Sequence, residues 1–148
     1  MGDLADPEIP HAADYVLDDQ VGFVLRLVRQ RHVAIFQKLA PFDLTPTQFS
    51  ALVRLAEMGE CSQNELGRRT AMDVATIKGV VDRLRKKGLV QIQADPQDKR
   101  RTMLSVHSNY RAIADKLHDA GHRITAQTME PLTSREQAEF LRLLKKLS

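Results

Sequence analysis

The 148-residue chain has no tryptophan, a single cysteine and only 5% aromatic residues. Such a composition argues against a carbohydrate cleft or a large stacking platform. Lone Cys61 cannot close an internal disulfide, which fits a reducing compartment. No apolar run approaches the ~18 residues needed to span a bilayer. The first residues are acidic and polar, without the basic start and apolar core of a secretory leader. The expectation is therefore a soluble, cytoplasmic protein with no membrane partner. A glycine-rich phosphate loop, a Ser or Cys nucleophile with a matching base and a convincing catalytic carboxylate pair are all missing, so an enzyme is not expected and no cofactor is implied.

What remains is an ordinary globular composition, 43% apolar and 28% charged, sufficient for one domain with helical extensions. The formal net charge of +3 hides an asymmetry. Residues 1–20 carry six acids and no Lys or Arg, whereas residues 62–101 carry ten Lys/Arg against five acids. A basic middle suits a polyanionic partner, because each phosphate neutralised releases condensed counterions.

Residues 1–17 read as a flexible acidic arm containing Pro7 and Pro10. A helix is expected from Asp18, with Val21, Val24, Leu25, Val28, Ile35 and Leu39 recurring at helical steps until Pro41 stops it. Thr45-Pro46 is a cap followed by proline at the first helical position, opening a helix that ends near Gly59. Ser62 with Glu65 forms a capping box for a short helix, Gln63 to Arg69. Asp73 caps a longer one to about Lys87, with Ile77, Val80, Val81 and Leu84 inward and Gly88 as its stop. Leu89–Ile92 and Met103–Val106 read as strands around a charged turn, Asp95 to Arg101. Ser108 can cap a helix to about Met129, and Thr133 with Glu136 boxes the last one.

The fold class is thus mainly α with a small β-hairpin wing: a winged helix-turn-helix over residues 46–107. Amphipathic flanking helices at 18–45 and 108–148 have no obvious partner in one small domain and are expected to build a homodimer. In this architecture the second helix enters the major groove of double-stranded DNA. Ala75, Thr76, Lys78, Gly79 and Arg83 face outward and are the candidate base or phosphate contacts; a merely solvated helix face is the alternative. Lys99, Arg100 and Arg101 suit the minor groove. Asp98 is expected to hold the Arg100 side chain by a charge-assisted hydrogen bond, and Asp82 to pair with Lys86. Ser62 and Gln63 start a helix whose amides favour a backbone phosphate. A winged helix used for protein–protein assembly is the competing class, but it would lack the basic tip.

These segments resemble the MarR family of bacterial regulators. The resemblance rests on Leu66 to Val90 with Asp73, Thr76, Val81-Asp82-Arg83-Leu84 and Gly88-Leu89-Val90, then Asp95-Pro96-Gln97-Asp98-Lys99-Arg100-Arg101. Leu132-Thr133-Ser134 with Glu136, Phe140 and Leu143-Leu144 is similar to that family's closing helix. The likeness covers roughly residues 18–148, and its most specific element is the Asp98-Lys99-Arg100 wing motif. It implies a homodimer that binds a pseudo-palindromic operator, usually as a repressor, and releases it when a small effector enters a pocket between the dimer and DNA-binding regions. Where the family often has Leu-Thr after the second wing strand, this chain has Val106-His107.

Three switching chemistries are open. Arg31 and His32 lie beside the apolar stripe of the first helix, with Phe36 and Phe49 as expected neighbours. A cation and a donor in an apolar wall suit an aromatic acid or a CoA thioester, and Asp19 to His32 resembles family members that control aromatic-compound degradation. The alternative is that His32 is a hydrogen-bonded core or interface histidine. Asp115, His118, Asp119 and His122 share a helical face, and His118 with His122 has the spacing of a zinc pair, as in zinc-responsive members of the family. Partner ligands are not evident in residues 39–48, so no metal is expected and a solvated face is the simpler reading. Cys61 is a redox candidate, although the family's peroxide sensors place their cysteine near the first helix.

Overall fold

The structure, a computed structural model, describes residues 14–148; the acidic arm expected over residues 1–17 lies outside the described residues as far as position 13. A 3-10 turn, Leu17–Asp19, precedes the first long helix, α1 (Val21–Leu39). The helix expected from Asp18 therefore begins at Val21, because Gln20 between the two is extended (φ −88°, ψ 131°). After a second 3-10 turn, Pro41–Asp43, come α2 (Pro46–Met58), α3 (Gln63–Arg69) and α4 (Val74–Lys86). The hairpin of β2 (Val90–Ala94) and β3 (Thr102–Val106) leads into α5 (Tyr110–Met129) and α6 (Ser134–Leu147). No described helix is long and apolar enough to cross a membrane.

Each helix start in the central unit is set by a side chain. Thr45 caps α2 in a full capping box with Gln48, ahead of Pro46. The Ser62 hydroxyl accepts from the Glu65 amide, but the reciprocal bond from Glu65 is absent, so the expected box is half made. Asp73 accepts from the Thr76 amide at 2.7 Å. At the other end of α4, Leu89 donates to the Leu84 carbonyl and Gly88 to that of Arg85, with Gly88 at φ 73°. These paired bonds satisfy carbonyls the helix leaves open and turn the chain into β2. At α5 the expected Ser108 cap does not form: the N-cap is Asn109 without a side-chain bond, and the Ser108 hydroxyl meets the His107 ring at 3.2 Å.

The sheet is antiparallel in the order β1-β3-β2, where β1 is the two-residue strand Glu60–Cys61 between α2 and α3. Cys61 pairs with Leu104 and seals the sheet against the helices. Leu52, Leu55, Leu66, Ile77, Val81, Leu84, Leu104 and Leu117 are essentially inaccessible and form one core. Its burial supplies most of the driving force for the domain. The Tyr110 hydroxyl donates to the Ala56 carbonyl at 2.9 Å and ties the start of α5 to α2. By contrast, α6 has no buried residue, and Val21, Val24, Leu25, Leu27 and Val28 of α1 are exposed.

Candidate functional site

On α4, the periodicity of 3.6 turns Ile77, Val80, Val81 and Leu84 inward, all buried. Ala75, Thr76, Lys78 and Arg83 are left exposed, and Gly79 is half-buried. A Cβ at Gly79 would meet only the end of the Arg83 side chain, at 3.4 Å, so the outer surface there is open ground. Asp82 makes no ion pair with Lys86; the ion pairs among the described residues are Arg54–Glu57, Asp119–Arg123 and Glu139–Arg142. The Asp73 carboxylate sits at the head of the helix, held below the usual aspartate range by hydrogen bonds from Thr76.

The wing is shaped by its carboxylates rather than decorated by them. The Asp95 side chain accepts from the Gln97 amide at 2.9 Å, and that of Asp98 from the Arg100 amide at 3.0 Å. Backbone bonds from Asp95 to Arg101 and from Arg101 to Asp98 close the loop. Asp98 therefore bonds the main chain of Arg100, not its guanidinium as expected: the acceptor sits two residues away, at the reach of an Asx turn. Lys99, Arg100 and Arg101 are consequently exposed and unpaired with any described carboxylate.

A groove of about 440 Å³ runs between the base of this wing and the start of α3, lined by Ser62, Gln63, Asn64, Arg68, Arg100, Arg101 and Thr102. Four of these, Ser62, Gln63, Arg100 and Arg101, are expected contacts; Asn64, Arg68 and Thr102 are not, although the position of Arg68 in the basic stretch is a usable signal. Lys99 lies outside this groove. Three arginines around a polar trough, with a helix start in its floor, are chemically suited to an anion.

A second cavity, about 250 Å³, lies where α1, α2 and α5 meet, and is lined by His32, Phe36, Pro46, Phe49, Ser50, Gly121, Ile124 and Thr125. Phe36 and Phe49 pack edge to face, centroids 5.4 Å apart at 89°. Gly121 lets α5 approach: a Cβ there would touch the Phe49 ring at 3.5 Å. His32 Nδ1 lies 2.9 Å from the Thr128 hydroxyl, and its other nitrogen has no hydrogen-bond partner among the described residues. Arg31 does not join them. Its guanidinium donates to the Gln127 and Thr128 carbonyls, satisfying the open C-terminal end of α5 and lining a separate cleft with Lys38 and Glu130. Beside the cavity, between α1, α5 and α6, is an apolar cleft of about 360 Å³ that includes Leu25, Val28, Met129, Phe140 and Leu144.

The remaining candidates are not assembled into sites. His118 and His122 are exposed on α5, Asp119 faces Arg123 at 3.9 Å, and no group of three potential ligands occurs among the described residues. Cys61 is fully buried, and burial, assisted by the Glu65 charge, pushes its thiol up, opposite to the shift that activates a redox sensor.

Comparison with known proteins places these features in company. The MarR family model matches residues 44–102. The transcriptional repressor NicR of Pseudomonas putida is 39% identical over 134 residues, spanning 90% of this chain and 85% of that protein. A probable transcriptional regulator from Pseudomonas aeruginosa superposes with a TM-score of 0.84 at 50% identity, covering 90% of this chain and 100% of the other. BpsR of Bordetella bronchiseptica, whose DNA binding is regulated by 6-hydroxynicotinic acid, superposes with a TM-score of 0.80 at 36% identity over 90% and 96% of the two chains.

Proposed function

Because the chain belongs to the MarR family of transcriptional regulators, we propose that it is an effector-responsive repressor that binds operator DNA as a homodimer. The observation that carries the DNA reading is the groove between wing and α3, where Arg68, Arg100 and Arg101 converge beside the Ser62 helix start. Those groups hold phosphates, while the exposed Ala75, Thr76, Lys78 and Arg83 of α4, with half-buried Gly79 between them, enter the major groove. Exposed apolar residues on α1 and α6, including Leu141, Leu143 and Leu147, supply the dimer face and give the two-fold symmetry that a pseudo-palindrome requires.

The effector site is the cavity of His32, Phe36 and Phe49. Its volume of about 250 Å³ suits a single aromatic ring with a carboxylate and leaves the nucleotide of a CoA thioester outside. The T-shaped Phe36–Phe49 pair offers an apolar wall for a ring to pack on, while His32, Ser50 and Thr125 offer polar contacts at its edge. The regulation of BpsR by 6-hydroxynicotinic acid points to the same class, a hydroxylated heteroaromatic acid. A gel-shift titration on the DNA upstream of the chain's own gene tests both parts. A retarded complex that dissolves on adding 6-hydroxynicotinic acid or a related aromatic acid is expected. Absence of any complex on that DNA or on scanned neighbouring promoters would remove the repressor reading.

A further inference from the structure

We infer that Lys87 is a positioning residue, latching the C-terminal end of α4 to the corner between α1 and α2 instead of contacting DNA. The inference rests on the DNA-binding reading above. Lys87 closes the run Arg83, Arg85, Lys86, Lys87, and charge alone would assign it to a phosphate. Its ammonium is committed elsewhere: it donates to the Phe42 carbonyl at 3.1 Å and to the Asp43 carbonyl at 2.6 Å.

Those two carbonyls belong to an unusual piece of backbone. Phe42 and Asp43 are consecutive non-glycine residues in the left-handed region, at φ 57° and 53°. Side chains disfavour that region, and such strain persists only where surrounding contacts over-determine it. Lys87 bridges both strained peptides, and the Lys116 ammonium of α5 lies 5.5 Å from the centre of the Phe42 ring. Immediately beyond the corner, Leu44 is buried in the core and Thr45 caps α2, whose Pro46, Phe49 and Ser50 line the effector cavity. The hydrogen-bonded end of α4 fixes where the Lys87 stem starts. A single side chain thus connects the DNA-facing helix to the wall that an effector would displace.

The test replaces Lys87 by Met, which keeps the stem and removes the donors, with Lys86→Met as a control that deletes the same charge one residue earlier. Two readouts are taken: duplex affinity as a function of salt, and amide exchange of peptides covering residues 41–46. For Lys87→Met the expected result is roughly tenfold weaker binding with the wild-type salt slope. Exchange at the corner should be faster while that of the α5 core is unchanged. Lys86→Met should leave exchange at the corner untouched. A salt slope lowered by about one unit with wild-type exchange would make Lys87 a phosphate contact and overturn the latch. Wild-type affinity, or exchange accelerated evenly across the core, overturns it equally. If wild-type protein binds no duplex at all, the DNA reading falls, and exchange at the corner alone decides whether Lys87 holds it.

Discussion

Asp98 illustrates how a single residue can oppose its own charge. A carboxylate beside a DNA phosphate repels it, yet Asp98 accepts the Arg100 amide and fixes the turn from which three cations project. Electrostatics alone predicts that Asp98→Ala tightens DNA binding, whereas the turn predicts that it weakens binding by disordering the tip. The expected outcome is weaker binding with an undiminished salt slope, measured by fluorescence anisotropy over a range of salt. Arg100→Ala, on the other hand, should weaken binding across all sequences and flatten the slope by about one unit. An unchanged slope would detach the wing from the phosphates. Replacing Lys78 separates two roles: a base contact alters sequence preference, a phosphate contact only affinity. Residue-scale expectations failed where a side chain had several partners in reach. Asp98 chose main chain over guanidinium, and Asp82 remained solvated because an exposed helical pair gains little.

Among the elements, α3 and α4 are held at a fixed distance by a glycine. A Cβ on Gly67 would lie 3.1 Å from both the Met72 carbonyl oxygen and the Ile77 side chain. The carbonyl belongs to backbone and cannot swing aside. Gly67→Ala is therefore expected to lower the melting temperature: overpacking of about 1–3 kcal/mol exceeds the helix-propensity gain of about 1 kcal/mol. A raised melting temperature would show that the two helices can separate freely. The Asp73 cap makes a pH prediction. Because its folded-state carboxyl titrates below the ordinary aspartate value, its contribution is complete above that value and is lost as pH falls through the lowered one. Near neutrality nothing changes. Below about pH 4, α4 should fray before the core unfolds, and Asp73→Asn should remove that pH dependence while still capping. Chemical shifts of Val74 to Ile77 followed against pH would decide it. These caps were legible because each lies within three residues of its partner. Strand β1 was not: two residues carry no periodicity, and its ladder partner Ser105 is 45 residues away from Glu60.

At the scale of the whole molecule, the helices around the winged unit expose apolar side chains that the proposed homodimer would cover. Leu141 and Leu143 are both 44% exposed and Leu147 is 75% exposed, on a helix with nothing buried. Leu141→Glu combined with Leu143→Glu is expected to convert a dimer into a monomer in sedimentation velocity. Affinity for a two-half-site operator should fall steeply, while that for a single half-site should hold. A variant that remains dimeric would move the interface off α6. The cavity proposed for the effector also belongs to this scale, since its walls come from three helices spread along the chain.

Local chemistry written into the chain was sufficient for the helices and hairpin of the winged unit: capping side chains, the apolar stripe of α4 and a turn of alternating acids and bases each act within a few residues. Tertiary structure alone decided which cations are available to a partner. Arg31 and Lys87 look alike in sequence to Arg68 and Arg100, yet the first pair is bound to carbonyls 44 to 97 residues distant and the second stands at an open groove. The physical reason is that a cation's role depends on which acceptors lie within about 3 Å of it, and only the packing of remote segments sets that.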